Sequence, residues 1–198
     1  MKKPDILALR PSQFSLGMKE VDFKIAKMRR FKMKELKSFC DDHVIPIVVG
    51  PKHEMYVIDH HHFARACWEL NVDSYSVKVV KNLSDKSEKA FWEIMRKHGW
   101  TYLHDQFGFG PHSTLSLPID IRCMSDDPYR SLVWALINEG HIEKHPVPFY
   151  EFYWAEYFRA KLKIDLHGKS DFDKATQKAV QLARSDSARH LLGHISAN

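Results

Sequence analysis

The chain is poor in cysteine and has no long apolar run. Three of its 198 residues are cysteine (Cys40, Cys67 and Cys123), and none of them stands in a CxxC motif. An odd number of widely spaced thiols argues against a disulfide framework or a zinc site and fits a reducing compartment. Because no stretch reads as a secretory signal or a membrane span, we expect a cytoplasmic protein that binds no membrane.

Internal repeats, low-complexity tracts and a flexible Gly/Ser linker are absent as well. The composition is 44% hydrophobic and 28% charged, which is typical of soluble globular proteins and not of disordered ones. The net charge of +5 makes an anionic partner plausible. The basic residues are dispersed, however, so charge alone does not indicate nucleic-acid binding, and nothing in the sequence indicates an oligomeric state.

The apolar pattern divides the chain into two parts. In the first, short apolar runs such as "VIPIVVG" and "MYVID" predict strands, paired as a hairpin across "PKHE", and helices are predicted between the strands. In the second, helical patterns dominate, as in "SDDPYRSLVWALINEG", where Asp127 and Pro128 mark a helix start. We therefore predict an α+β fold: a small α/β domain over residues 1–83 and a mainly α-helical extension over residues 84–198, packed on that domain.

The run "IDHHHFARA", residues 58–66, places three consecutive histidines where a predicted strand becomes a helix. Neighbouring helical residues point about 100° apart, so His60, His61 and His62 cannot converge on one metal ion. A phosphate site fits better, because the first amides of a helix have no intrahelical partner and the dipole is positive there. The imidazoles and Arg65 would add further donors.

The alternative is a purely structural turn. Asp is a favoured N-cap residue, so Asp59 would cap the helix and the three histidines would be solvated surface residues. On the residues alone, phosphate binding is favoured over this alternative, which stays open.

Several segments in a fixed order carry a family resemblance. "LRPSQFSLGMKEV", "PIVVGPKHEMYVIDHHHFARACWELN", "MSDDPYRSLVWAL" and "PFYEFYWAEYFR" together resemble the ParB-like nuclease family of bacterial proteins, over about residues 5–160. This family belongs to the ParB/sulfiredoxin superfamily, whose members share a small α/β fold and bind phosphates at a "DGHHR"-like strand-to-helix motif. The activities known in that superfamily include CTP hydrolysis with DNA clamping, ATP-dependent sulfinic-acid reduction and phosphorylation of free serine.

The resemblance implies roles for individual residues. Asp59 matches the acid of the motif, and His61 and His62 match its paired histidines. His60 stands where glycine is usual, and Phe63 stands where arginine is usual, so this chain departs from the motif at two positions.

Glu20 lies in the segment where kinase-like members of the superfamily place a catalytic acid. Such a carboxylate serves as a general base or holds Mg²⁺ beside phosphate, whereas its structural alternative is a solvated helix residue. Lys24, Asp126 and Arg130 are predicted to support the site. The "FGFGPH" loop, with His104, Asp105 and His112 close to it, is a predicted lid.

We therefore expect a ParB-like protein that binds phosphate of a nucleotide (ATP or CTP), a phosphorylated small molecule or a nucleic acid, with Mg²⁺. As an enzyme, a nuclease, NTPase or phosphotransferase, it would use Glu20, His61 and His62 for catalysis. Phosphate binding would involve Asp59, His60, His61, His62 and Arg65. No protein metal-ligand set is predicted. The alternative is a non-catalytic, partition-like module that binds DNA or nucleotide.

Overall fold

The structure is a computed structural model that describes residues 4–163 and 169–196, and it has an α+β fold. The helices within these residues are α1 (Met18–Met28), α2 (Met33–Asp42), α3 (His61–Glu69), α4 (Glu88–Lys97), α5 (Pro128–Asn138), α6 (Tyr150–Lys161) and α7 (Lys169–Ala183). The strands are β1 (Leu9–Pro11), β2 (Ser15–Leu16), β3 (Ile45–Val49), β4 (Met55–Val57), β5 (Val77–Asn82) and β6 (Ser125–Asp126).

A mixed four-stranded sheet has the strand order β1-β4-β3-β5. Strands β3 and β4 are antiparallel, with Ile47 opposite Val57, so the predicted hairpin is confirmed. Strands β1 and β5 run parallel to their neighbours β4 and β3. Ile45, Ile47 and Val48 of β3 are fully buried. A continuous apolar run of β-branched residues is what a strand covered on both faces requires.

The chain forms two compact units. The first comprises Met1–Leu16 and Val21–Asp126, and the second comprises Gly17–Glu20 and Asp127–Asn198. The contacts therefore divide the main body of the chain at Asp126, whereas the sequence pattern changes at residue 83. The intervening segment contains α4 and a long irregular stretch, and it makes most of its contacts within the first unit.

Helices α5, α6 and α7 build the core of the second unit. The side chain of Asp127 accepts hydrogen bonds from the amides of Tyr129 and Arg130, and Pro128 opens α5, as predicted. The buried side chains of this core are Leu132, Val133, Leu136, Ile142, Tyr150, Trp154, Ala155, Phe158, Ala179, Ala183 and Ala188. Among the described residues, no helix combines the length and apolar character that crossing a bilayer demands.

Candidate functional site

A left-handed residue joins strand β4 to helix α3. His60 has φ 62° and ψ 27°, and it is the N-cap residue of α3, with no hydrogen bond from its side chain to the helix. The exposed Asp59 instead accepts a hydrogen bond from the amide of His60, at 2.6 Å. The reading of Asp59 as the N-cap is therefore wrong. The His60 side chain thus provides no cap, and the positive end of the α3 dipole lies at this turn.

His61 points into the protein. Its ring is 3% exposed, and Nε2 accepts a hydrogen bond from the amide of Ser12 at 3.3 Å. Burial lowers the pKa of His61 to about 3, and the neighbouring His62 and His60 act in the same direction, while a hydrogen bond with the Val57 backbone opposes the shift. The ring is neutral at pH 7 and has no surface to offer a ligand. We therefore correct the expected donor role of its side chain and keep only its backbone amide as a phosphate donor.

Arg65 is engaged with other parts of its own unit. Its Nε and Nη2 donate to Oε1 of Glu69, each at 2.9 Å, and Nη1 donates to the carbonyls of Ile121 and Arg122 at 3.4 and 3.3 Å. The guanidinium also lies 5.1 Å from the ring centre of Trp68. These partners direct it along α3 toward residues 121–122. The expectation that Arg65 reaches an anion at the His60 turn is corrected accordingly.

His43, which the sequence pattern does not single out, lies beside the turn. Its ring centre is 6.2 Å from that of His60, and its Nδ1 donates to the carbonyl of Phe39 at 2.7 Å. The ammonium of Lys27 lies 4.9 Å from the ring centre of Phe39. Nδ1 of His60 is buried without a hydrogen-bond partner among the described residues. Helices α1 and α2 thus bring basic side chains to the N-terminal side of α3.

The remaining predicted residues are divided between the two units. His62, half-buried in the first turn of α3, belongs to the first unit together with Lys24 and the exposed Asp126. Glu20, half-buried in the first turn of α1, belongs to the second unit. Arg130 is also there, 6% exposed, with its guanidinium over an aromatic ring of α6. The roles proposed for these five residues stay predictions.

The loop after α4 is built around Asp105. Its Oδ1 accepts hydrogen bonds from the amides of Phe107 and Phe109, and its Oδ2 is 2.9 Å from Nε2 of His112. Hydrogen bonds from these groups lower the pKa of Asp105, although burial raises it. The bonds fix the loop conformation, while the function of the loop as a lid stays a prediction.

A metal ion has no ready protein site in the described ranges. No three His, Cys, Asp or Glu side chains there are grouped so that they could hold one. The three consecutive histidines diverge, with His61 buried and His60 in a left-handed conformation.

The chain was compared with protein families, curated proteins and solved structures. Residues 3–160 match the family described as "Putative ParB-like nuclease". The structure is similar to the crystal structure of protein Atu1540 from Agrobacterium tumefaciens, with a TM-score of 0.85 and 34% sequence identity over 96% of this chain and 95% of that chain. No curated protein matches. Since the family match extends over most of the chain, the protein belongs to the ParB-like nuclease family.

Proposed function

We propose that the turn from Asp59 to His62 binds a phosphate group of a nucleotide or nucleic acid. The N-terminus of α3 carries this proposal: β4 is followed by a left-handed residue, His60, whose side chain makes no capping hydrogen bond to the helix. The positive end of a helix dipole favours an oxyanion at such a turn. The backbone amide of His61 would supply a donor.

Basic side chains near the turn support the same ligand. His60 has a buried Nδ1 without a described partner, and a phosphate oxygen or a bridging water would satisfy it. The ring of His43 lies next to that of His60, and Lys27 reaches the same aromatic cluster through Phe39. Lys27 supplies a positive charge, and the imidazoles of His60 and His43 supply N–H donors. A polyanion gains more from this arrangement than a neutral ligand does.

His62 is the histidine that fits a catalytic role. It lies in the first turn of α3, next to the amides that would hold the phosphate, whereas the ring of His61 is sealed in the core. In a hydrolytic reaction a neutral imidazole would take a proton from the attacking water, and Mg²⁺ would enter bound to the substrate phosphates. The family description supports phosphodiester hydrolysis as the reaction. A non-catalytic binding module is the alternative.

Replacing His60 with glycine tests the binding proposal. His60→Gly is expected to raise the melting temperature of the free protein, because glycine adopts a left-handed conformation about 1 kcal/mol more easily than other residues. It is also expected to weaken nucleotide binding several-fold, because one imidazole donor is lost. Thermal-shift titrations with ATP, CTP and DNA oligonucleotides, each with Mg²⁺ or Mn²⁺, measure both effects.

His53 provides a matched control. It is an exposed histidine with φ 60°, so His53→Gly removes the same side chain from a residue with nearly the same φ at another turn. It should stabilise the free protein to a similar extent and leave nucleotide binding unchanged. If the two glycine variants bind every tested nucleotide and oligonucleotide as the wild type does, or if no such ligand shifts the melting temperature, the phosphate site is not at this turn.

Turnover distinguishes an enzyme from a binding module. His62→Asn is expected to lower the rate of phosphate release or DNA nicking by 10²-fold or more while nucleotide binding persists, because asparagine donates hydrogen bonds but takes up no proton. Glu20→Gln tests in the same assay the acid that the family resemblance implies. Binding without turnover in the wild-type protein would favour the non-catalytic alternative.

A further inference from the structure

The second unit contains a cavity of about 350 Å³ that plays no part in the phosphate proposal. One wall is formed by α6, and the other by the segment that follows the short 3₁₀ turn Asp186–Ala188. The lining residues are Tyr150, Tyr153, Glu156, Tyr157, His190, Leu191 and Leu192. The cavity therefore combines three phenol rings with a carboxylate.

The three tyrosines lie on one face of α6. They stand at positions i, i+3 and i+7, a spacing that places side chains in a row along a helix. Two of these rings are held in place. Tyr150 is 5% exposed, and the hydroxyl of Tyr157 lies 2.7 Å from Oγ of Ser187 and 3.1 Å from Oγ of Ser185. The third ring, that of Tyr153, is 54% exposed, so burial in the core does not explain its presence.

The charge of the lining favours a cation. Glu156, half-buried, is the acidic residue among the described lining side chains, His190 adds an imidazole, and no lysine or arginine is among them. Burial raises the pKa of Tyr150 to about 12, so this phenol is neutral at pH 7 and presents an intact ring. The ammonium of Lys161 lies 5.1 Å from the ring centre of Tyr157, so one of the three rings is already in contact with a cation of the chain.

We propose that this cavity binds a small organic cation of the quaternary ammonium class. Aromatic faces attract a cation through their ring quadrupoles, and Glu156 balances its charge. A quaternary ammonium donates no hydrogen bonds, so it suits a site with three rings and one carboxylate. The inference does not depend on phosphate binding at the His60 turn.

Choline and its neutral isostere 3,3-dimethylbutan-1-ol test the proposal with the full-length protein. The two molecules have nearly the same shape, so a difference in affinity measures the contribution of charge. By isothermal titration calorimetry we expect saturable choline binding with a Kd of about 1 mM or lower, and at least tenfold weaker binding of the neutral isostere. Equal binding of the two molecules, or no saturable choline binding, would overturn the proposal.

Variants of Tyr153 and Glu156 test whether choline binds in this cavity. Tyr153→Leu is expected to weaken choline binding roughly fivefold because the ring face is lost, while Tyr153→Phe keeps that face and stays within about twofold of the wild type. Glu156→Gln removes the balancing charge and should also weaken binding. Because Tyr153 is half exposed, its variants should keep the wild-type melting temperature. Choline binding that is unaffected by Tyr153→Leu and Glu156→Gln would contradict this location.

Discussion

Asp127→Ala is expected to lower the free energy of unfolding by about 3 kcal/mol or more, the largest effect that we predict for a single substitution. Asp127 is 1% exposed and has two separate roles. Its Oδ1 accepts a hydrogen bond from the amide of Tyr129 at 2.9 Å, which caps α5. Its Oδ2 accepts a hydrogen bond from Nη2 of Arg159 at 2.6 Å, which ties α5 to α6. Equilibrium unfolding in urea, followed by tryptophan fluorescence, measures the loss.

The free energy of unfolding falls because the guanidinium of Arg159 stays in place after the carboxylate of Asp127 is removed. Burial raises the pKa of Asp127, and the charge and hydrogen bond of Arg159 oppose that shift. The attraction between the two groups thus has to offset a desolvation cost, so the intact ion pair contributes only modestly to the free energy of unfolding. Removing the carboxylate alone leaves a guanidinium that is only 18% exposed facing an alanine.

Two further variants separate the cap from the ion pair. Asp127→Asn keeps an oxygen that can cap α5 but removes the negative charge. The double variant Asp127→Ala, Arg159→Met removes both charges and keeps an unbranched side chain in α6, so it should be more stable than Asp127→Ala alone. If the two losses simply add in the double variant, the ion pair is not the source of the effect.

Asp127 also illustrates what the sequence alone could predict. An acid followed by proline and a periodic apolar run determines the start of a helix locally, and α5 begins at Pro128 as predicted. The hairpin of β3 and β4 followed in the same way from two apolar runs at close spacing. The family assignment rests on such local segments in a fixed order, and the match over residues 3–160 confirms it. Local signals were sufficient for these features.

The arrangement of the histidine turn was harder to predict because distant residues decide it. His61 accepts a hydrogen bond from the amide of Ser12, which lies 49 positions away in the sequence. Arg65 donates to the carbonyls of residues 121–122. His43, beside His60, comes from the end of α2 and is marked by no pattern. Helical spacing specifies which side chains share a face, but it does not specify which face the core covers.

Nearby residues also override the expected cap. Asp59 accepts a hydrogen bond from the amide of His60, and His60 adopts a left-handed conformation. The three consecutive histidines therefore serve different purposes. His60 forms the turn, His61 joins α3 to the segment before β2, and His62 stays in the first turn near the proposed ligand.

Lowering the pH from 7 to 5 is expected to reduce the free energy of unfolding by about 2 kcal/mol through His61 alone. The pKa of His61 is about 3 in the folded protein, against an ordinary value of 6.5. The unfolded chain therefore takes up a proton between these two values while the folded protein does not. The contribution is fully present above pH 6.5 and is lost at about 1.4 kcal/mol per pH unit as the pH falls toward 3.

His61→Gln isolates this contribution from that of the other histidines. The glutamine amide can accept from Ser12 and donate to the Val57 backbone, but it does not titrate. The variant should be less stable than the wild type at pH 7, because its packing is poorer, and should lose less stability on acidification. His98→Gln makes the same replacement at an exposed histidine and serves as the control. Parallel slopes for His61→Gln and the wild type would mean that His61 is protonated in the folded protein, and a charged ring would be incompatible with accepting the Ser12 amide.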